Sequence, residues 1–265
     1  MRSRLLVCSS ALALASILIV RLEAADGVLL VQKTTAGTDV RTSQVQVEKT
    51  RMRTDMVDAS GSAQIVIFDG AKQVMDMVSI DKKTYTEITK ADVDRMAAQM
   101  QSAMAQMNNI PPAQRAQMEA MMRGRGMPGM AAPVKTEYRR NGTERVGRWT
   151  CDKYDGYQNG QKTSEVCTVS PTALGIGLTD LDVTRQMAEF FSSAMPQMAQ
   201  QMAAVGHQET QGFSGFPVKT VSTVAGRTVT MEFTEVSRQT FPDSLFAVPA
   251  GFVKQDMMGA RGRGR

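Results

Sequence analysis

The 265-residue chain has one histidine, one tryptophan and three cysteines, and aromatic residues make up 5% of it. Histidine is the most frequent general base and a common metal ligand, so its scarcity leaves little material for acid–base catalysis or a metal site. His207, the single histidine, follows the helix-ending Gly206, and we interpret it as a loop residue. Residues 212–216 lack the last glycine of a nucleophile elbow, and residues 175–177 lack the third glycine of a dinucleotide loop. We therefore expect a protein that is not an enzyme and has no cofactor.

The sequence also lacks an apolar run long enough for a membrane-spanning helix. Residues 5–20 are apolar apart from a few serines, which is shorter than the roughly 18–20 residues that a span needs, and Arg21 ends the run. Arg2 and Arg4 precede the run and the small residue Ala24 follows it, a pattern typical of a secretory signal peptide. We predict cleavage near Ala24, and a mature protein that is periplasmic or secreted.

The net charge of the mature chain is small. The chain has 31 basic and 26 acidic residues, of which three basic residues and one acidic residue lie in residues 1–24. The mature chain therefore keeps 28 basic and 25 acidic residues, and three of these basic residues are arginines in residues 261–265. A nucleic-acid-binding protein would carry a basic face on its folded domain, so we expect no nucleic-acid partner. For residues 256–265 we expect a disordered Arg/Gly tail; contact with an anionic membrane surface and no function at all are both open interpretations.

Two cysteines, Cys151 and Cys167, remain after cleavage, on two strand-like segments of a hairpin. A two-residue turn at Asn159 and Gly160 would pair Cys151 with Thr168 and place the cysteines on opposite faces. A three-residue loop with Gly160 in a left-handed conformation would instead pair Cys151 with Cys167. We predict this second register and a disulfide, which an oxidising compartment favours; reduced or metal-bound thiols are the alternative.

Strand patterns dominate the chain. Segments rich in β-branched residues, or alternating apolar with polar residues, are separated by turn signals such as Asp69-Gly70. Alternation implies one buried and one solvated face, which favours an antiparallel sheet. We predict strands over residues 27–33, 43–49, 52–57, 63–68, 73–80, 84–88, 133–140, 149–157, 161–169, 216–224 and 227–237, with an extended segment over 244–253.

Two amphipathic segments interrupt the strands. Thr89 and Asp92 form a capping-box pattern at the start of the first, and Thr179 and Asp182 repeat it at the start of the second. We predict helical insertions at about residues 89–123 and 179–205 in one domain of residues 25–255. An α+β fold, with an antiparallel sheet and helices on one face, is the natural arrangement of these elements.

Methionine is the residue in excess, with 21 copies, many of them on one stripe of each predicted helix. Three interpretations are open. The stripes pack the core, or they form a deformable surface for a lipid or lipoprotein acyl chain or an envelope protein partner, or Met-x-x-Met pairs bind Cu(I). The candidate ligand-binding residues are Met96, Met100, Met104, Met107, Met187, Phe191, Met195, Met198 and Met202.

Several strand motifs resemble a bacterial family of exported proteins of unknown function, which is similar to the periplasmic lipoprotein carriers. The motifs are residues 47–55 with an Arg-x-Arg strand, 65–70, 81–85, the hairpin 147–169 with Cys151 and Tyr154, and 243–252. The resemblance implies a strongly curved antiparallel sheet, a half-barrel, with helices over its concave face and apolar ligand space between. We therefore expect a non-enzymatic envelope protein that binds an apolar ligand or a partner, with a periplasmic Cu(I)-binding protein as the alternative.

Overall fold

The computed structural model describes residues 25–58, 60–108, 136–196, 199, 212–224 and 226–256. Within them, twelve strands form one sheet. Helix α1 spans Lys90–Asn108 and helix α2 spans Asp182–Phe191, and short 3-10 helices lie at Pro171–Leu174, Leu178–Leu181 and Asp243–Phe246. The strands are β1 (Ala25–Ala36), β2 (Asp39–Val47), β3 (Arg51–Val57), β4 (Ala63–Asp69), β5 (Val74–Ser79), β6 (Thr84–Thr89), β7 (Glu137–Val146), β8 (Trp149–Gln158), β9 (Gln161–Val169), β10 (Phe216–Val224), β11 (Arg227–Phe241) and β12 (Val253–Lys254).

The sheet consists of two meanders joined through the long strands β1 and β11. The spatial order is β12-β6-β5-β4-β3-β2-β1-β11-β10-β9-β8-β7, so β12 and β7 lie at opposite edges and the sheet is open. Every pairing is antiparallel except the parallel contact of β12 with β6. The predicted antiparallel sheet is confirmed, whereas the strong curvature of a half-barrel stays a prediction.

The main core lies between one face of the sheet, here called the inner face, and the two helices. Phe68 of β4 and Phe190 of α2 are both fully buried, with ring centroids 5.4 Å apart in an edge-to-face arrangement. Helix α1 adds Val93 and Ala97 to the same core. Buried apolar residues of both helices therefore pack against this face of the sheet, as predicted for amphipathic helices.

A second, smaller core lies on the opposite face, here called the outer face. Ile65 and Ile67 of β4 and Val78 of β5 are buried there together with Phe241 and Phe246. The chain after β11 supplies the cover, because it crosses this face before it pairs with β6 as β12. Alternate residues of β4 thus enter different cores, since successive side chains of a strand point to opposite faces.

The start of α1 agrees with the sequence and the start of α2 does not. The Thr89 N–H and hydroxyl donate to Asp92 at 3.0 and 2.6 Å, and the Asp92 N–H donates back to the Thr89 hydroxyl at 3.3 Å, so the predicted capping box is confirmed. The second prediction was wrong: the Gly177 N–H donates to Asp180 at 2.6 Å, and Asp180 caps a 3-10 turn that precedes α2. Among the described residues, no helix combines the length and apolar character that crossing a membrane requires.

The predicted hairpin and disulfide are present, but the predicted register was wrong. Gln158 pairs with Gln161 across a two-residue turn, in which Asn159 and Gly160 have φ of 51° and 78°. These positive φ values are those of a type I′ turn, which suits the twist of a hairpin. The strand pairing then shifts, because Gly156 pairs with Ser164 and Tyr157 with Lys162, leaving one extra residue in β9.

This bulge changes which side chains share a face. With the shift, Cys167 pairs with Lys153 rather than with Cys151. The two cysteines become diagonal neighbours on one face, with Cα atoms 5.5 Å apart, and they are joined by a disulfide. Gly156 stands next to the bulge, where the strands approach closely: a side chain at this position would collide with Ser164 and Tyr138.

Candidate functional site

A groove of about 760 Å³ runs between α1 and the segment formed by β12 and the two residues that follow it. Its α1 residues recur at spacings of one, three and four, so they form one helix face, which extends for roughly 17 Å at 1.5 Å per residue. The lining residues are Glu87, Asp92, Arg95, Met96, Gln99, Met100, Ala103, Lys254, Gln255 and Asp256.

The position of α1 follows from its cap and its buried face. The capping box attaches α1 directly to the end of β6, while Val93 and Ala97 fix an adjacent face of the helix in the core. Met96 is half-buried and packs against that core, and Met100, one turn later, is 52% exposed. The helix therefore presents a thioether surface that passes from the core into the groove.

The other wall of the groove is the last described part of the chain. The Val253 N–H donates to the Lys83 carbonyl at 3.0 Å and the Gln255 N–H donates to the Tyr85 carbonyl at 2.7 Å, which fixes this segment on the edge of β6. The Lys254 ammonium lies 2.7 Å from the Glu87 carboxylate. Each of these backbone hydrogen bonds satisfies a carbonyl group at the edge of the sheet. The position of this wall is therefore fixed by backbone pairing as well as by the ion pair.

The charges around the groove are largely paired. Arg95 lies 3.1 Å from Asp92, and the hydrogen bonds from Thr89 lower the pKa of Asp92, which keeps that carboxylate ionised. On the neighbouring strand, burial and then the nearby Glu87 carboxylate raise the pKa of Asp76. Two ion pairs, Arg95–Asp92 and Lys254–Glu87, therefore account for four of the five charged lining residues. Asp256 is the fifth, and Met96, Met100 and Ala103 form the apolar part of the lining.

Two sequence motifs, the Arg-x-Arg strand and residues 243–252, meet on the outer face. Arg51 pairs with the buried Glu48 at 2.6 Å and with Asp243 at 2.7 Å, and its guanidinium lies 4.7 Å from the centre of the Phe246 ring. Arg53 donates to the Leu245 carbonyl at 2.9 Å. The Arg-x-Arg strand thus anchors the segment that leads to the groove wall, a contact that neither motif predicts alone.

The structure separates the predicted methionine stripes. Met187 and Phe191 are buried in the main core, while Met96 and Met100 reach the groove. Met195 is exposed. The side chains of Met104 and Met107, and the residues Met198 and Met202, lie outside the described residues. For α2, core packing accounts for the stripe, and for α1 the stripe continues into a cavity.

A row of alternating charges follows the disulfide on β7–β10. Lys153 lies 2.8 Å from Glu165, Lys162 lies 2.6 Å from Glu165, and Lys219 pairs with Glu144. Hydrogen bonds from Lys153 and then Lys162 lower the pKa of Glu165 to about 2. Every cation in this row is matched by a carboxylate, so we interpret it as a structural ion-pair network. In the part of the chain that the structure describes, no group of three or more His, Cys, Asp or Glu side chains could hold a metal ion.

Three solved structures align with most of this chain. An uncharacterized conserved protein from Thermus thermophilus aligns over 88% of this chain and 91% of its own, with 7% identity and a TM-score of 0.44. MucB in complex with MucA(peri) aligns over 85% of this chain, with 10% identity and a TM-score of 0.36. The MucA/MucB complex of Pseudomonas aeruginosa aligns over 86%, with the same identity and TM-score. This chain spans 55% and 58% of the matched chains in these two complexes.

No curated protein matches the sequence. The family described as "Domain of unknown function (DUF4412)" matches residues 100–252, from within α1 to the residue before β12. This region contains the hairpin, the disulfide and the outer-face segment 243–252, which are among the motifs on which the expected family resemblance rested. The matched region covers more than half of the 265 residues, and the chain therefore belongs to the DUF4412 family.

Proposed function

We propose that this protein is an exported, non-enzymatic binding protein that holds an apolar ligand, the acyl chain of a lipid or lipoprotein, in the groove along α1. The observation that carries the proposal is the groove itself, in which Met96 and Met100 line one wall and two ion pairs neutralise most of the charge around them. The signal-peptide pattern of residues 1–24 supports export. A half-barrel curvature of the sheet would bring further ligand space to the same side.

The volume of the groove is suitable for an acyl chain. Small-molecule sites typically have volumes of roughly 300–1,000 Å³, and the groove has about 760 Å³. Burying about eight CH₂ groups would contribute roughly 6 kcal/mol at ~0.8 kcal/mol each, from which the cost of ordering the chain must be subtracted. Unbranched methionine side chains can follow a flexible ligand because they have several rotatable bonds and no fixed shape.

The same two methionines carry the competing proposal, Cu(I). Met96 and Met100 are one helical turn apart on the same face of α1, so both thioethers can approach one soft cation. Copper would make a small number of short sulfur contacts, whereas an acyl chain needs a long apolar surface. The two ligands therefore predict different responses to the same substitution.

The test measures binding of a fluorescent fatty-acid probe to the purified protein and to Met100→Glu. A carboxylate at position 100 would lie in the apolar path, and we expect at least a tenfold loss of affinity with an unchanged circular dichroism spectrum. Met231→Glu is the matched control, because Met231 is 40% exposed and lies on β11, six strands from β6.

Equal probe affinity for wild type and Met100→Glu would contradict the proposal. If the groove binds copper instead, added Cu(I) should protect Met96 and Met100 from an oxidant, and this protection should be lost in Met100→Glu. The fatty-acid probe should then not bind to either protein.

A further inference from the structure

The described chain ends inside the proposed ligand site. Strand β12 pairs with β6 through Val253 and Lys254, and the next two residues, Gln255 and Asp256, line the groove beside α1. The Gln255 N–H still donates to the Tyr85 carbonyl, so the chain is attached to the sheet edge up to this residue. Residue 257 is therefore bonded to a residue that already forms part of the groove wall.

The residues that follow Asp256 match the chemistry of the groove. Residues 257–260 are Met-Met-Gly-Ala, which carry no charge, and the arginines begin at Arg261. The Arg95–Asp92 and Lys254–Glu87 pairs account for four of the five charged lining residues, and Asp256 precedes the segment itself. Met96, Met100 and Ala103 form the apolar part of the lining, which an uncharged segment fits better than an arginine does. Four extended residues span about 13–14 Å, and Met96 and Met100 are about 6 Å apart along α1, so the segment is long enough to cover both methionines.

We propose that residues 257–260 occupy the groove of their own chain and compete there with an external ligand. The regulatory part of this inference rests on the proposed function, whereas docking of the segment does not. Attachment at Asp256 gives the segment a high effective concentration, of the order of millimolar for short connections, so a weak contact suffices. If the segment occupies the groove for about nine-tenths of the time, the apparent affinity for the ligand falls ~10-fold.

Docking is tested without any ligand, through the ¹³C-methyl NMR signals of the methionines in the purified protein. The variant Met257→Ser with Met258→Ser removes the apolar side chains and keeps the arginines, and the matched control replaces Arg261, Arg263 and Arg265 by alanine. We expect the Met96 and Met100 signals to shift in the serine variant and to stay in place in the alanine variant. The Met187 signal reports the buried core and should be unchanged in both.

Unchanged Met96 and Met100 signals in the serine variant would overturn the inference, and so would equal shifts in the alanine variant. The fatty-acid probe separates this result from the proposed function. We expect the serine variant to bind the probe ~10-fold more tightly than wild type. Methyl shifts without probe binding by any variant would support the docking of residues 257–260 and contradict the proposed acyl-chain function. Probe binding without methyl shifts would support the acyl-chain function and contradict the docking.

Discussion

The two ends of the sheet are stabilised in different ways. Around β4 and β5 the sheet is covered on both faces, by the helices on the inner face and by the segment after β11 on the outer face. Around β8 and β9, beyond the disulfide, the same sheet is stabilised by ion pairs between neighbouring strands. The first region is covered on both faces, whereas the second combines burial of residues such as Trp149 and Val218 in the main core with a disulfide and ion pairs between neighbouring strands.

The difference follows from what each region has to pack against. Phe68 contacts Phe190 on one face, while Ile65 and Ile67 lie beneath Phe246 on the other, so β4 loses water from both sides. Lys153, Glu165 and Lys162 are each about a quarter to two-fifths exposed, and in such positions cross-strand pairing replaces burial. Exposed ion pairs contribute little individually, so we expect the disulfide to dominate at this end.

The largest effect is expected from removing the outer-face cover. Phe246→Ala deletes a buried ring that packs near Phe241 and beneath the Arg51 guanidinium. We expect the free energy of unfolding to fall by about 3 kcal/mol or more, the usual cost of a buried Phe→Ala change. Urea unfolding measures it, with Val253→Ala as the control, since Val253 is 65% exposed in the same segment. A loss below about 1 kcal/mol would mean that this segment does not stabilise the sheet.

The second effect concerns the other end of the sheet. Replacing both Cys151 and Cys167 by alanine removes a link between residues 16 apart in the chain. We expect a loss of about 2–3 kcal/mol, because the unfolded chain regains the conformational freedom that the loop had removed. A reducing agent should lower the stability of the wild type to that of the double variant and leave the variant unchanged. Free thiols in freshly isolated protein would contradict the bridge.

The smallest effect is a dependence on pH. The pKa of Glu165 is about 2 in the folded protein and about 4.5 for the unperturbed group, so its ion pairs stabilise the fold fully above pH 4.5. This contribution is lost as the pH falls from about 4.5 towards 2. Glu165→Gln should cost less than about 1 kcal/mol at neutral pH and should reduce the pH dependence of stability over that interval. The exposed Glu137→Gln is the control, and equal pH profiles for Glu165→Gln and wild type would show that the network is not stabilising.

Local patterns predicted many of the strands because an alternation of apolar and polar residues, or a run of β-branched residues, spans only a few positions. Residues 63–68 were predicted and β4 spans Ala63–Asp69, and residues 161–169 match β9. The cap of α1 was also predictable, since Thr89 and Asp92 need only each other. The second cap was wrong because Asp180 bonds Gly177 and also pairs with Arg238 of β11, which is distant in sequence.

The candidate site was only partly predictable. Helical spacing places Met96 and Met100 on one face of α1 and Met187 and Phe191 on one face of α2, but spacing does not state how completely each face is covered. The structure buries the α2 residues, and it forms a groove beside the α1 residues because β12 returns to the edge of β6. That return depends on Arg51 and Arg53, which contact a segment about 190 residues away.

The sequence by itself determined the properties that depend on neighbours along the chain. These are the local patterns of many strands and the capping of α1, since each is decided by a few adjacent residues. Only the tertiary structure decided the pairing of β1 with β11, the bulge that brings Cys151 and Cys167 to one face, and the groove between α1 and β12. Each of these depends on contacts between distant residues, whose geometry is fixed when apolar surfaces pack and backbone groups pair across the sheet.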